Sequence, residues 1–391
     1  MDPRRNPFAP GAGTPPPELA GRGELLERNA IALDRIRMGR AARPAILYGL
    51  RGVGKTVLLS AMREAAEAEG MVIIAVEAPE NRSLPGMLVP ALRAALLRLD
   101  RIKRTTAGVG RALRALAGFA KLKVKFDDIE VALDFEAEPG LADSGDLEAD
   151  LSDLILAVGE AARERETAIV LMIDELQYVP EEQLAALISA LHRASQRRVP
   201  ITMLAAGLPQ LLGQMGRAKS YAERLFEFVP VSPLDDEPAR DAIRLPILRE
   251  EEAIDESALD AIVAETQGYP YFLQEWGKHS WDVAAASPIS ASDVAQATRS
   301  ALAELDASFF RVRFDRLTPA EKRYLGAMAS LGPGPHRSGD IAEAMGVRVS
   351  SAAPTRNSLI TKGMLYSPAH GETAFTVPLF DAYMRRVMPR G

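Results

Sequence analysis

The sequence predicts an α/β fold with a buried parallel sheet, followed by a helical region and a small C-terminal domain. Short, almost uninterrupted apolar runs alternate with stretches of helical periodicity, which is the pattern of a parallel sheet covered on both faces. These runs are residues 45–48, 71–76, 168–173 and 201–206. A glycine-rich segment follows the first run directly. Together these observations predict a sheet that carries a ligand-binding loop.

The glycine-rich segment lies within Pro44–Leu59, where Gly49 is followed by four residues and then by Gly54-Lys55-Thr56. A strand, a glycine-rich loop and a helix N-terminus in this order are typical of a phosphate-binding P-loop. Lys55 can then reach the β- and γ-phosphates, and the Thr56 hydroxyl can bind Mg²⁺. The alternative is a chance match at a glycine-rich turn. The residues predicted to bind the nucleotide here are Gly49, Gly52, Val53, Gly54, Lys55, Thr56 and Val57.

A second motif ends the apolar run 168–173, which leads directly into Asp174 and Glu175. Two carboxylates after a buried strand form the Walker B arrangement, and ligands of open parallel sheets bind at that edge. We expect Asp174 to hold Mg²⁺ and Glu175 to polarise the attacking water. The alternative is an ordinary strand with an exposed acidic end. A side chain that senses the γ-phosphate stays unassigned, because only Thr202 or Gln210 is near the next strand end.

Composition narrows the class of protein. The chain has 391 residues, enough for two or three domains, and a net charge of −6, which argues against coating nucleic acid with its whole surface. Cysteine is absent and the four histidines lack metal-ligand spacing, so we interpret them as structural or surface residues. No apolar run could span a membrane and no secretory signal is present. We therefore expect a cytoplasmic protein without a membrane partner.

Residues 93–153 form a block of unusual charge. Its first part is rich in arginine and lysine, and its second part is acidic. The segments 121–126 and 129–135 alternate apolar and polar residues, which predicts a hairpin with charge-complementary cross-strand pairs. We interpret this insertion, about 101–150, as self-neutralising. The alternative is that its basic stretch Arg101–Arg114 contacts nucleic acid or a partner protein.

The C-terminal third predicts a helical lid and then a winged helix-turn-helix. Residues 235–282 have helical periodicity, and Ser290 with Asp293 forms a capping box at the start of a long helix. Thr318 then begins the first of three short helices, and two short strands follow the third.

DNA binding by this predicted winged helix is a separate hypothesis. From Thr318 onward basic residues outnumber acidic ones, against the trend of the whole chain. Basic and amide side chains contact phosphates and base edges. The alternative is a winged helix that mediates protein contacts or acts as an autoinhibitory plug. The candidate DNA-binding residues are Arg337, Arg348, Arg356, Asn357 and Lys362.

The motifs resemble those of AAA+-related ATPases, particularly the STAND and archaeal-type ATPases and the origin-recognition clade. The resemblance rests on Gly21-Arg22-Gly23-Glu24, the P-loop, M-I-D-E-L-Q at Walker B and Arg224-Leu225-Phe226. It implies an AAA+-like P-loop NTPase core with Arg22 near the adenine. It also implies that Arg224 is an arginine finger reaching a γ-phosphate in a neighbouring subunit, so that ATP promotes a homo-oligomer. The alternative for Arg224 is a surface arginine paired with Glu223 or Glu227.

A further resemblance concerns the segment Gly268-Tyr269-Pro270, which is similar to the G-x-P motif of the STAND lid. The resemblance implies that Pro270 packs near the nucleotide base. The alternative is a helix boundary, because glycine and proline both interrupt helices. No arginine follows at the place of the second AAA+ sensor, and Lys278 is the nearest basic residue.

The sequence as a whole predicts a switch that binds ATP or ADP and hydrolyses ATP with Mg²⁺, slowly when isolated. We expect it to act at duplex DNA through the winged helix. The alternative is a STAND-type signalling ATPase without DNA binding. A protein-remodelling motor ranks last, since no aromatic pore loop is evident. The predicted domains are an extended tail at 1–20, the ATPase core at 21–232, the lid with its connecting helix at 233–316 and the winged helix at 317–391.

Overall fold

The fold is that of a computed structural model, which describes residues 1–11, 13–78, 83–102, 107–123 and 136–388. The chain divides into two compact units. We call the first the sheet unit; it contains residues 23–48 and 55–230. The second, the C-terminal unit, contains residues 1–22 and 49–54 and the chain from 231 onward.

The sheet unit is built on five parallel strands in the order β2-β3-β4-β1-β5. The four strands that the apolar runs predict are confirmed, whereas the short edge strand β5 was not anticipated. In its sequence, E-F-V-P, a glutamate and a proline enclose only two strand-forming apolar residues, so no apolar run marks the strand. The strands are β1 (Ala45–Tyr48), β2 (Val72–Glu77), β3 (Ile169–Asp174), β4 (Ile201–Gly207) and β5 (Glu227–Pro230).

Helices cover this sheet, and their apolar faces form one continuous core with the strands. Helix α5 packs closely against both α4 and α6. The described helices of the unit are α1 (Gly23–Arg37), α2 (Lys55–Ala68), α3 (Leu84–Ile102), α4 (Ala107–Lys123), α5 (Leu147–Glu164), α6 (Glu181–Arg197), α7 (Leu211–Ala218) and α8 (Ala222–Leu225).

Helix α4 corrects the interpretation of the charged insertion. Residues 121–123 form the last turn of this helix, so a strand beginning at residue 121 is wrong. Val109, Leu113 and Leu116 are buried in the core of the sheet unit. Their spacing of four and three residues is the helical period, and it outweighs the charges between them. The remainder of the predicted hairpin, 124–135, lies outside the described residues.

The C-terminal unit contains the predicted helical region and the winged helix, and both are confirmed. The capping boxes at Ser290 and Thr318 are present, each with its side chain accepting from the backbone N–H three residues on. A π-helical segment, Asp306–Phe310, continues α12. The helices here are α9 (Asp236–Arg249), α10 (Glu256–Thr266), α11 (Pro270–Val283), α12 (Ala291–Leu305), α13 (Arg311–Asp315), α14 (Pro319–Ser330), α15 (Ser338–Ala344), α16 (Val349–Thr361) and α17 (Phe380–Val387).

The winged helix adds a small antiparallel sheet to α14, α15 and α16. Its strands are β6 (His336–Arg337), β7 (Leu365–Tyr366) and β8 (Glu372–Phe375), in the order β6-β8-β7. The core of this unit contains the buried side chains of Tyr324, Leu359 and Phe380. No helix among the described residues is long and apolar enough to cross a lipid bilayer.

The N-terminal segment begins with a short 3-10 helix, Pro3–Arg5, and packs against α11. Phe8 is buried and lies against Gly277, where an added Cβ would approach its ring to 2.7 Å. The Trp281 indole N–H donates to the carbonyl oxygen of Asp2 at 2.9 Å. These contacts fix the segment against α11 because a buried aromatic side chain contributes a large apolar surface.

Candidate nucleotide site

The glycine-rich loop follows β1 and makes close backbone contacts within the C-terminal unit. A Cβ at Gly49 would lie 2.1 Å from the carbonyl oxygen of Val231, so only glycine fits there. Gly52 and Gly54 have φ values of +82° and +91°, the left-handed region that favours glycine. Val53 is buried. The glycines therefore give the loop the curled backbone that a P-loop requires.

Helix α2 begins at Lys55, directly after this loop in the chain. Lys55 is buried, Thr56 is exposed and Val57 is half-buried. The first N–H groups of a helix have no partner within the helix and carry a partial positive charge. A helix start preceded by a glycine-rich loop is thus a ready anion site, and Thr56 lies at its open side.

Asp174 is the last residue of β3 and lies beside this helix start. The Thr56 hydroxyl donates to Asp174 Oδ2 at 2.6 Å, and the Glu175 N–H donates to Oδ1 at 2.8 Å. Burial raises the pKa of Asp174 above its usual range, while these two hydrogen bonds and the charge of Lys55 oppose that shift. A half-buried carboxylate beside a hydroxyl supplies hard oxygen ligands, so the residues present fit Mg²⁺.

The register of the sheet explains why these groups meet. Ile173 pairs with Ala205, and Leu47 pairs with Ala206, so the carboxyl ends of β3 and β1 lie level on either side of β4. Parallel strands bring their carboxyl ends to one edge, which is where open α/β sheets bind ligands. The edge brings together the two motifs that are more than a hundred residues apart in the sequence.

Glu175 lies just past that edge in an unusual backbone conformation. Its φ of +53° lies in the left-handed region, which is uncommon for a residue with a side chain. Such outliers are frequent at functional sites, where the surrounding structure holds them. Its carboxylate accepts a hydrogen bond from the Gln177 side-chain amide.

Gln177 is a residue of this site that the sequence analysis missed. It is buried, and its Oε1 accepts from the backbone N–H of Leu208 at 2.9 Å, just after β4. Gln177 thus connects the carboxylate of Glu175 to the end of the neighbouring strand. Its place within M-I-D-E-L-Q was the only signal in the sequence, and that signal does not indicate where the amide points.

The position of Gln177 leads to a prediction for Gln177→Ala. The substitution leaves the buried Leu208 N–H without its partner, so we expect the free energy of unfolding to fall by about 1–3 kcal/mol. It also removes a hydrogen bond to Glu175, which we expect to polarise the attacking water, so we expect kcat for ATP hydrolysis to fall about tenfold with KM nearly unchanged. Denaturant unfolding and steady-state kinetics measure the two effects. A change in KM alone would contradict this positioning role.

The two sensor candidates near β4 differ in position. Thr202 is buried and pairs with Val170 near the beginning of β4, away from the carboxyl edge. It therefore does not reach the edge that carries Asp174. Gln210 lies just before α7 and has a buried side-chain oxygen without a hydrogen-bond partner among the described residues. Gln210 is the one of the two that lies beyond the carboxyl end of β4.

Arg22 and Pro270 lie within the C-terminal unit. The Arg22 guanidinium donates to the carbonyl oxygen of Ser232 at 2.6 Å, and burial lowers its pKa while Asp235 opposes that shift. Pro270 is the first residue of α11, and the N–H of the next residue, Tyr271, donates to the carbonyl oxygen of Gly52 at 3.2 Å. The start of α11 therefore contacts the glycine-rich loop directly.

Arg224 lies in the short helix α8 and is exposed. Among the described residues it has no ion-pair partner, and Glu227 pairs with Arg28 instead, at 3.3 Å. The described contacts therefore give no support to a surface pair between Arg224 and Glu227. The guanidinium faces solvent, where a second chain could meet it.

The candidate DNA-binding residues fall into two groups. Arg337, Arg348 and Asn357 are exposed, the first two at the residues just before α15 and α16. Arg356 donates from Nε to Thr373 Oγ1 at 2.8 Å, and Lys362 pairs with Glu321 Oε2 at 2.8 Å. The last two therefore contact neighbours within the winged helix in this conformation.

The parallel sheet, the loop and the acidic strand end define a P-loop nucleotide-binding protein. Residues 18–204 match a family model described as AAA ATPase domain, and residues 307–384 match one described as a domain of unknown function (DUF8462). Residues 18–204 are therefore similar to an AAA ATPase domain. No curated protein sequence matches the chain.

Solved structures are similar to this chain at low sequence identity. The Walker-type ATPase PABY2304 of Pyrococcus abyssi is 15% identical, with a TM-score of 0.57, over 94% of this chain and 96% of its own. The Aeropyrum pernix Orc1 protein, solved in complex with DNA, is 14% identical, with a TM-score of 0.46, over 94% and 93%. The Thermotoga maritima RuvB Holliday junction branch migration motor is 15% identical, with a TM-score of 0.46, over 95% and 97%. Since the last two scores are below 0.5, only the first match bears on the fold.

Proposed function

We propose that the protein is a molecular switch that binds ATP with Mg²⁺ and hydrolyses it to ADP and phosphate. The observation that carries this proposal is the 2.6 Å contact between the Thr56 hydroxyl and Asp174. This contact joins the helix start that follows the glycine-rich loop to the acidic end of β3. Mg²⁺ bound by these two residues would neutralise charge on the phosphate oxygens.

Each remaining residue of the site has a proposed role. The backbone N–H groups of the loop and of the turn after it bind phosphate oxygens. The residues that shape this backbone are Gly49, Gly52, Val53, Gly54 and Val57. Lys55 pairs with the β- and γ-phosphates, and Glu175 orients and polarises the attacking water. Arg22 and Pro270 lie near the base. The exposed Arg224 acts in a neighbouring subunit, so turnover is slow in the isolated chain and rises with assembly.

The winged helix is the proposed output of the switch, and duplex DNA is its proposed partner. Support comes from the three exposed candidates, Arg337, Arg348 and Asn357, which belong to the part of the chain where basic residues exceed acidic ones. Guanidinium and amide groups can pair with phosphates and with guanine or adenine edges. Because Arg356 and Lys362 have partners within the domain, we expect them to contribute less than the exposed group.

A second candidate function has its own supporting observation. The backbone N–H of Arg51, in the glycine-rich loop, donates to the carbonyl oxygen of Thr376 at 3.2 Å. Its side chain points to the carbonyl oxygen of Gly363 at 3.5 Å. Both acceptors belong to the winged helix. A winged helix that holds the loop in this way would make the protein a signalling switch that ATP opens, without DNA binding.

One experiment separates the two candidates. ATP hydrolysis by the purified chain is measured over a series of protein concentrations, with and without duplex DNA. A DNA-bound switch predicts stimulation by DNA, specific activity that rises with concentration and salt-sensitive binding. The double variant Arg348→Ala/Asn357→Ala should lose the stimulation, whereas Arg299→Ala, an exposed arginine on α12, should keep it. Stimulation that survives the double variant would contradict the assignment of these residues.

The signalling switch predicts a different outcome. Turnover is then negligible, DNA has no effect and nucleotide stays tightly bound. Hydrogen exchange of the backbone around Gly363 and Thr376 should become faster in ATP than in ADP, because the contact with Arg51 is released. Unchanged exchange in both nucleotides would contradict this second candidate.

A further inference from the structure

Three side chains on two neighbouring helices converge outside the nucleotide site. Glu275 and His279 lie four residues apart on α11, so they share one face of that helix. Glu304 projects from α12, which packs closely against α11. One carboxylate oxygen of each glutamate and a ring nitrogen of His279 all lie within 4.8 Å of one another.

Glu275 is the buried member of this cluster, and one of its carboxylate oxygens has no hydrogen-bond partner among the described residues. Glu275 is only 5% exposed, and its Oε2 has no hydrogen-bond partner among the described residues, although Tyr271 bonds to the carboxyl group. The nearby side-chain nitrogens lie closer to the other glutamate, since His279 Nε2 lies 3.1 Å from Glu304 Oε2 and Lys278 Nζ lies 3.4 Å from Oε1. A buried carboxylate oxygen without a partner is costly unless a charge is bound beside it.

We propose that Glu275, His279 and Glu304 bind one divalent transition-metal ion of the zinc class. One imidazole nitrogen and two carboxylate oxygens are a common ligand set for Zn²⁺, and three protein ligands leave a position for water. Mg²⁺ is a poorer fit, because it prefers oxygen ligands alone. The bound ion links α11 to α12 and supplies the partner that Glu275 Oε2 lacks.

The site was not visible in the sequence. Only Glu275 and His279 share a helix, and Glu304 joins them through the packing of α12. The spacing of the histidines in the sequence therefore indicated structural or surface residues. The proposed metal site changes that interpretation for His279. The proposal is independent of the proposed nucleotide chemistry.

Zinc titration of the full chain tests the site. The parent protein for the titration is the Asp174→Asn variant, so that the carboxylate near Thr56 does not contribute a second metal site. We expect one Zn²⁺ per chain by titration calorimetry with ZnCl₂. His279→Gln and Glu275→Gln should each weaken binding at least about tenfold. The matched control is His370→Gln, which replaces an exposed histidine of the winged helix. This variant should bind Zn²⁺ with the affinity of the parent chain.

Cobalt substitution gives a second readout. Co²⁺ added to the same chain should produce visible absorption bands of a low-coordinate nitrogen and oxygen site. Glu304→Gln should lose these bands, and because Glu304 is exposed the substitution leaves the fold intact. The proposal is wrong if no stoichiometric Zn²⁺ binds, or if binding and spectrum persist unchanged in His279→Gln and Glu304→Gln.

Discussion

Replacing Lys55 by alanine should lower the affinity for ATP at least about a hundredfold. Lys55 is buried at the first position of α2, beside the charge of Asp174. Its ammonium group is the positive charge that would face the β- and γ-phosphates, and charge-assisted hydrogen bonds are the strong ones. Titration calorimetry or a fluorescent ATP analogue measures the affinity of the Lys55→Ala chain.

The matched control for this experiment is Lys121→Ala. Lys121 is exposed on α4, so the same substitution removes the same charge from the chain outside the proposed site. ATP affinity should stay within a factor of about two of the unchanged protein. Equal affinities of the Lys55→Ala and Lys121→Ala chains would show that the loop is not the nucleotide site.

Glu175→Gln should separate binding from hydrolysis. Glutamine keeps the size of the side chain but lacks the carboxylate that polarises water, so we expect kcat to fall by about 10²–10⁴-fold. Binding of ATP should persist, because Lys55, Thr56 and Asp174 are unchanged. The variant should therefore retain bound ATP rather than ADP, which chromatography of the released nucleotide detects.

Glu77→Gln is the control for the second prediction. Glu77 ends β2 and pairs in register with Asp174, so it is another carboxylate at the same edge of the sheet. It is exposed and has no proposed role, and hydrolysis should continue at nearly the normal rate. Normal turnover in Glu175→Gln, or equal losses in both variants, would contradict the role of Glu175.

The core of the fold could be predicted because its signals are local. A buried parallel strand is apolar along its whole length, so 45–48 and 168–173 were recognisable without any alignment. The capping boxes at Ser290 and Thr318 likewise depend on residues only three positions apart. Strand order is different: nothing in the chain says that β4 lies between β3 and β1, since pairing is a long-range property.

The errors have physical causes as well. In residues 107–123 the basic side chains favoured an interpretation based on charge pairing. The spacing of Val109, Leu113 and Leu116, which are buried, is instead that of an α-helix. In the N-terminal segment, prolines and glycines predict an extended chain. They carried no information about Phe8, whose burial depends on Gly277 far along the chain. The predicted domain boundaries and the remaining hairpin residues stay predictions.

The candidate site was predictable where chemistry follows a motif. Two short sequence patterns predicted Lys55, Thr56 and Asp174 as site residues. In the structure the hydrogen bond between Thr56 and Asp174 connects the two patterns. Gln177 was missed because its amide acts through the backbone of Leu208, on another strand. The proposed metal site at Glu275 was missed because its third ligand, Glu304, lies on another helix. Residues that act through packing of distant elements leave little trace in a single sequence.

The most direct test of the central claim is a single-turnover assay with the purified protein in excess over ATP. An excess of protein makes a slow chemical step visible even if product release limits steady-state turnover. We predict that bound ATP is converted to ADP and phosphate when Mg²⁺ is present, and that chelation of Mg²⁺ or Lys55→Ala stops the conversion. Bound ATP that stays intact with Mg²⁺ at every protein concentration, or conversion that persists in Lys55→Ala, would contradict hydrolysis at this site.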